Sequence, residues 1–219
     1  MYKQLFLFCL LALFACKTSQ PVQEPPKQQP STQQPTAEKK PEEKKSNGKS
    51  YKDILKDAKT DDGLFKVHLV NEKVYYEIPN SLIGKDMLLI SRIKGCPENL
   101  SPYLNAGSSV NEQVVRWQRK ENRILLKSIS YNSVADEELP IYQSVQYNNF
   151  EPIIDAFKIE AMNPDSTAVL IDVTGLFTAD VTAISGLNSS LRQQYKVSRL
   201  DAQRSFIDTV RSYPINIEV

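Results

Sequence analysis

From Phe65 to Val173 the chain repeats one device: short runs in which apolar residues fall at every second position, with turn-forming residues between them. A period of two lines one face of a strand with apolar side chains, whereas a helix needs spacings of three and four. Phe65, Val67 and Leu69 alternate with Lys66 and His68; after Asn71 and Glu72 the alternation resumes at Val74, Tyr76 and Ile78, which predicts a β-hairpin. Val115 and Trp117 alternate with Arg116 and Gln118, and Lys120-Glu121-Asn122 separates them from Ile124-Leu125-Leu126, which predicts a second. Residues 152–162 and 168–173 flank Asn163-Pro164-Asp165-Ser166, whose Pro and Asp suit a tight turn, and predict a third antiparallel pair. Residues 86–93 predict a further strand, apolar enough from Met87 to Ile90 to be buried on both faces.

Helical spacing is confined to the ends of this region. Tyr51, Ile54, Leu55 and Ala58 fall on one face of a short amphipathic helix that Asp61-Asp62-Gly63 terminates. Ser198 and Asp201 have the spacing of a capping box, opening a helix with Ala202, Phe206, Val210 and Tyr213 on one face and Pro214 at its end. Alternation then resumes from Ile215 to Val219, the pattern expected of a domain cut in mid-strand. Strands without intervening helices argue against βαβ units, so the fold class is α+β: mainly antiparallel β hairpins with a few short helices.

Ahead of this region the composition changes twice. Lys3 precedes eleven apolar residues, Leu5 to Ala15, and the run stops at Cys16. As a helix it would rise only about 16 Å, short of the roughly 30 Å hydrocarbon core, so it reads as a signal peptide and not a permanent span. Leu13-Phe14-Ala15-Cys16 resembles a bacterial lipobox, with Phe14 where a small or β-branched residue is usual; residues 1–16 then form a lipoprotein signal peptide and Cys16 is the lipidation site. With no Asp at position 18, the destination implied is the outer membrane, reached through the lipid on Cys16. Residues 17–50 are dominated by Pro, Gln, Lys and Glu, contain no aromatic residue, and predict a disordered tether, since little apolar surface offsets the ordering entropy. Their charges are mixed in sign and the whole chain carries a formal net charge of +1, so nothing here suits nucleic acid.

The chemistry-bearing residues are few. His68 is the single histidine, on the strand face opposite Phe65 and Leu69, and reads as a partly exposed structural residue. A hydrolytic zinc site draws two or three histidines, commonly from His-Glu-x-x-His, and a Ser-His-Asp arrangement would have to recruit the same His68. Once Cys9 leaves with the signal peptide and Cys16 takes lipid, no disulfide framework is available, and Cys96 reads as a loop or core thiol. The seven glycines form no phosphate-cradling loop. Asp136-Glu137-Glu138 reads as a solvated charge run and Asp172 as the cap of the helical turn after it. No catalytic, cofactor-binding or metal-binding residue is therefore assigned.

Gly63-Leu-Phe65-Lys-Val67-His68, Tyr75-Tyr-Glu-Ile-Pro79 and Gly84 through Ile93 resemble the first small domain of unknown function in bacterial exported zinc-dependent metalloproteases. Asn111 to Trp117, Ile153 to Ile159, Ile171 to Phe177 with Asp180, and Arg199 to Asn216 resemble the second such domain, in order. The resemblance implies a small β-hairpin domain over 51–97 and a second α+β domain over 98–219, truncated at its C-terminal end. It also implies that the His-Glu-x-x-His helix and its zinc belong to a downstream protease domain, the partner of this chain, so that zinc is expected only there. Two functions follow as expectations: a non-catalytic scaffold, folding or pro-region-like part of a lipid-anchored metalloprotease, or a free-standing envelope lipoprotein acting as a protein- or ligand-binding module.

Overall fold

The computed structural model describes residues 50–96, 98 and 105–219. The signal peptide and Cys16 lie outside the described residues, as does the tether apart from Ser50. The fold class is α+β: one antiparallel sheet of eight strands with a few short helices. In chain order the strands are β1 (Lys59–Asp61), β2 (Lys66–Val70), β3 (Lys73–Pro79), β4 (Asp86–Arg92), β5 (Ser109–Lys120), β6 (Arg123–Ile129), β7 (Ile153–Met162) and β8 (Ala168–Asp172). Their order in the sheet is β1-β2-β3-β8-β7-β6-β5-β4. The three predicted hairpins are β2–β3, β5–β6 and β7–β8. Asn71 and Glu121, with φ of 55° and 52°, supply the left-handed residues that let the first two turn in two residues.

The sheet is strongly curled. On its concave face Trp117 of β5 has its ring 6.4 Å from Phe65, 6.3 Å from Tyr76 on β3 and 5.7 Å from Phe157 on β7. In a flat sheet β3 and β5 would stand four strand spacings apart, about 19 Å. The bend falls on β7, which pairs with β6 from Ile153 to Lys158 and with β8 from Ile159 to Met162. Register shifts after Leu126 and after Ile159 accommodate it, as bulges do at sheet corners. The core is the concave face: Val67, Val74, Tyr76, Ile78, Trp117, Ile124, Leu126, Val169 and Ile171 are buried there.

The remainder of the chain closes this core with little regular structure. The short helix α3 (Thr174–Thr178) contributes Leu176 and Phe177, and Val181, Ile184, Ile207 and Val210 pack on from irregular backbone. Arg192, on the helix Ser189–Gln194, holds that backbone in shape. It donates to both Asp180 carboxylate oxygens (2.7 and 3.0 Å), to the Leu187 and Ser198 carbonyls (3.0 and 3.3 Å) and to Ser185 Oγ (3.1 Å).

Three sequence expectations are corrected. The helix over 198–213 is a single 3₁₀ turn, Ala202–Arg204; Phe206 points to solvent, whereas Ile207 and Val210 pack on the core from extended chain. The helix at residue 51 is one turn, α1 (Tyr51–Ile54), because the chain enters strand pairing at Lys59. β4 is an edge strand with one face in solvent: Met87 and Leu89 are half-buried while Leu88 and Ile90 are exposed. The alternation near the C-terminus becomes a two-stranded hairpin, Arg211–Ser212 with Ile217–Glu218. Ser212 Oγ donates to the Phe65 carbonyl (2.6 Å) and Leu64 N to the Tyr213 carbonyl (2.7 Å), so the hairpin is fastened to the β1–β2 turn.

Two substitutions test this packing. Trp117→Ala should cost about 3–5 kcal/mol in urea unfolding, because it removes the ring that the curled sheet closes upon. Gly63→Ala would place a methyl 2.6 Å from Ser212 Oγ and the Tyr213 carbonyl, and should destabilise by roughly 1–3 kcal/mol while leaving the β-sheet circular dichroism intact.

Candidate functional site

The convex face of a curled sheet is normally the wet one, yet at the β2–β3 end it buries two ionisable side chains, His68 and Glu77. The two-residue β2–β3 turn pairs His68 with Tyr75 and Lys66 with Glu77, which sets His68 and Glu77 on one face as diagonal neighbours. His68 Nε2 lies 3.0 Å from Glu77 Oε2, and His68 Nδ1 lies 2.8 Å from Thr60 Oγ1 on β1. Tyr51, on α1, donates its hydroxyl to the same Glu77 Oε2 at 2.6 Å. A carboxylate only accepts, so Nε2 carries the imidazole hydrogen and Nδ1 accepts from the Thr60 hydroxyl. The chain Thr60–His68–Glu77–Tyr51 thus ties β1, β2, β3 and α1 together. Ser50 starts α1 with a capping box: its side chain accepts from Asp53 N while Asp53 accepts from Ser50 N.

His68 is therefore not partly exposed: it is 3% exposed, because β1 and α1 cover a face that strand alternation alone assigns to solvent. Burial lowers its pKa below the ordinary 6.5 and outweighs the opposing pull of Glu77. Burial also raises the Tyr51 phenol, with the Glu77 hydrogen bond and charge acting in the same direction.

The other end of the convex face carries an ion network. Arg116 on β5 donates Nε to Asp86 (2.7 Å) and Nη1 to Glu151 (3.0 Å), and Lys127 on β6 donates to the second Glu151 oxygen (3.2 Å). Tyr131 donates to Asp86, and the Lys127 ammonium stands 5.9 Å from the centre of the Phe150 ring. These contacts pin the excursion between β6 and β7, which includes the helix α2 (Tyr142–Asn148), to the sheet. Leu88 and Ile90 on β4, Ile153 on β7, and Tyr147 and Phe150 in the excursion are exposed.

The remaining sequence candidates stay apart from both clusters. Asp172 accepts from Thr174 N and Oγ1 (3.0 and 2.6 Å) at the start of α3, as expected of a cap, and pairs with Lys73 (2.8 Å). Asp136-Glu137-Glu138 is exposed in the β6–β7 excursion. Cys96 is half-buried after β4. Cys16, the assigned lipidation site, lies outside the described residues. Both nitrogens of His68 are engaged, and no group of three or more metal-ligating side chains occurs among the described residues. A catalytic zinc does not fit these residues.

Two family models match the chain: Domain of unknown function (DUF5118) over residues 48–96 and Domain of unknown function (DUF5117) over residues 107–219. No curated protein and no solved structure matches it.

The depressed His68 pKa makes stability depend on pH with a definite sign. The unfolded chain takes up a proton below 6.5 that the folded chain resists, so the contribution is complete above pH 6.5 and declines as pH falls toward the lower folded value. Thermal unfolding between pH 8 and 5, on the order of that titration range, should show the midpoint falling on the acid side, and His68→Gln should be less stable at pH 8 with that step reduced. An unchanged pH profile in His68→Gln would assign the step to other groups.

Proposed function

We propose, from the premise that this chain belongs to the DUF5117 family and carries a DUF5118 segment ahead of it, that residues 50–219 are a non-catalytic scaffold of an exported, lipid-anchored zinc-dependent metalloprotease. The catalytic zinc domain is supplied outside residues 1–219, and lipid on Cys16 holds the assembly to the envelope membrane. The observation that carries this reading is the convex face of β4–β7, where Leu88, Phe150 and Ile153 surround the Arg116 ion network. Exposed aliphatic and aromatic side chains around an arginine are the composition of a protein-binding patch. The engagement of His68 in structural hydrogen bonds agrees with a supporting role, since its ring nitrogens already have partners.

One observation favours a second reading, a free-standing envelope lipoprotein that acts as a binding module. It is a groove lined by Glu77 and Asp62 on this chain alone, which needs no protease domain to be complete.

Three measurements separate and test these readings. Reading in frame past Val219 into a His-Glu-x-x-His segment supports the protease assembly; a stop codon there supports the module. Cys16→Ser should move the protein from the membrane to the soluble fraction, and membrane retention of that variant would refute the lipid anchor. Leu88→Glu, at a side chain 63% exposed on the edge strand β4, should leave stability unchanged and weaken association with the protease domain by about tenfold or more. Unaltered affinity would remove this face from the interface.

A further inference from the structure

Glu77 is 4% exposed, but only one of its two carboxylate oxygens is engaged: Oε2 accepts from Tyr51 and His68, and no described residue donates to Oε1. Every fully buried side-chain oxygen among the described residues has a hydrogen-bond partner, so Oε1 must retain contact with solvent. Glu77 lines a groove of about 490 Å³ at the end of β3 and β8, together with Asp62, Lys66, Asn80 and Thr167 among others. An acceptor that solvent reaches while the rest of its carboxylate is buried is open to a donor that enters from that side.

The chemistry of the lining selects the donor. Asp62 and Lys66 form no ion pair with any described residue, so two carboxylates face one untethered ammonium. Asn80 donates its amide nitrogen to the Ser166 carbonyl at 3.0 Å, which leaves its oxygen available as an acceptor. A metal ion would need more carboxylate or imidazole ligands than this groove presents among the described residues. A guanidinium binds carboxylates best through both oxygens, and Oε2 is already taken. A primary ammonium, with three donors directed at separate acceptors, matches one carboxylate oxygen, one amide oxygen and a second negative charge.

We propose that this groove is a binding site for a primary ammonium group, a lysine side chain or a peptide α-amine, with Glu77 Oε1 as its acceptor at the floor and Asp62 and Asn80 at the rim. The site stands under either functional reading above, because its residues all lie on this chain. Binding is transmitted to His68, whose Nε2 shares the Glu77 carboxylate, and His68 is the single histidine of the chain. Its imidazole is therefore an unambiguous reporter.

The experiment follows the His68 Cε1–H resonance in the purified full chain during titration with Nα-acetyl-lysine amide, glycinamide and, as the uncharged control, Nα-acetyl-norleucine amide. A saturable shift with either amine, at affinities on the order of 1 mM for a single charge-assisted contact, and none with the control, supports the site. The amine that binds tells side-chain recognition from α-amine recognition. Glu77→Gln should weaken binding at least about tenfold, and Asp62→Asn, at an exposed position outside the buried cluster, by about threefold with an unchanged circular dichroism spectrum. No shift with either amine up to about 50 mM, a shift reproduced by the norleucine control, or undiminished binding in both variants would overturn the proposal.

Discussion

Closure of the sheet onto Trp117 is the constraint from which the rest of the structure follows. The indole meets Phe65 ahead of β2, Tyr76 on β3 and Phe157 on β7, and a flat sheet would hold β3 and β5 far apart. Aromatic burial of this kind supplies several kcal/mol and prefers the tilted and edge-on geometries found here. To bring those rings together the sheet must bend, and β7 bends, with its first half in one layer and its second half in the other. Once the layers face each other, the mouth between them remains open. Irregular chain from α3 onward fills it, and the many hydrogen bonds of Arg192 give that chain a defined course where no ladder does.

Curling also decides what happens on the outer surface. The convex face at β2–β3 is covered from the N-terminal side by α1 and β1, and it buries Tyr75 and Leu170 beside the two ionisable side chains. The ionisable pair there is held by polar contacts: Tyr51 donates to one Glu77 oxygen and Thr60 to His68. A buried imidazole–carboxylate pair contributes little net stability compared with apolar packing, but removing one member leaves the other unpaired. The cluster thus specifies where the folded domain begins, since the first helical turn after Ser50 carries the Tyr51 hydroxyl that completes it.

The strands were legible because period-two alternation reports directly on burial of one face. Phe65-Val67 against Val74-Tyr76-Ile78, and Val115-Trp117 against Ile124-Leu126, identify both the hairpins and the core positions. What alternation does not carry is the sheet order. The continuous apolar run Met87-Leu88-Leu89-Ile90 reads as a strand buried on both faces and is an edge strand with one face in solvent, because burial of β4 depends on what covers it. The helical spacing of Ala202, Phe206, Val210 and Tyr213 was equally misleading: Phe206 and Tyr213 stay exposed, and contacts with the sheet decide the local conformation. The His68–Glu77 relation was within reach of the sequence. A two-residue turn at Asn71-Glu72 fixes the register, and the register makes His68 and Glu77 diagonal neighbours. Tyr51 was not, since nothing local says that a residue before β1 folds back over β3.

The topology bears on where function can reside. Residues 48–96 supply β1, β2 and β3 at one end of the sheet and β4 at the other, while residues 107–219 supply β5 to β8 between them. Each segment therefore covers edges that the other leaves open: β3 pairs with β8, and β4 pairs with β5. Both surface features are composite in the same way. The groove takes Glu77 and Asn80 from the first segment and Thr167 from the second; the ion network takes Asp86 from the first and Arg116 and Glu151 from the second. Unpaired strand edges are sites of association, so neither segment presents these surfaces, or remains free of self-association, without its neighbour. A partner or ligand that reads either surface must therefore recognise the paired segments as one folded object, which gives a physical reason for the two to occur in tandem.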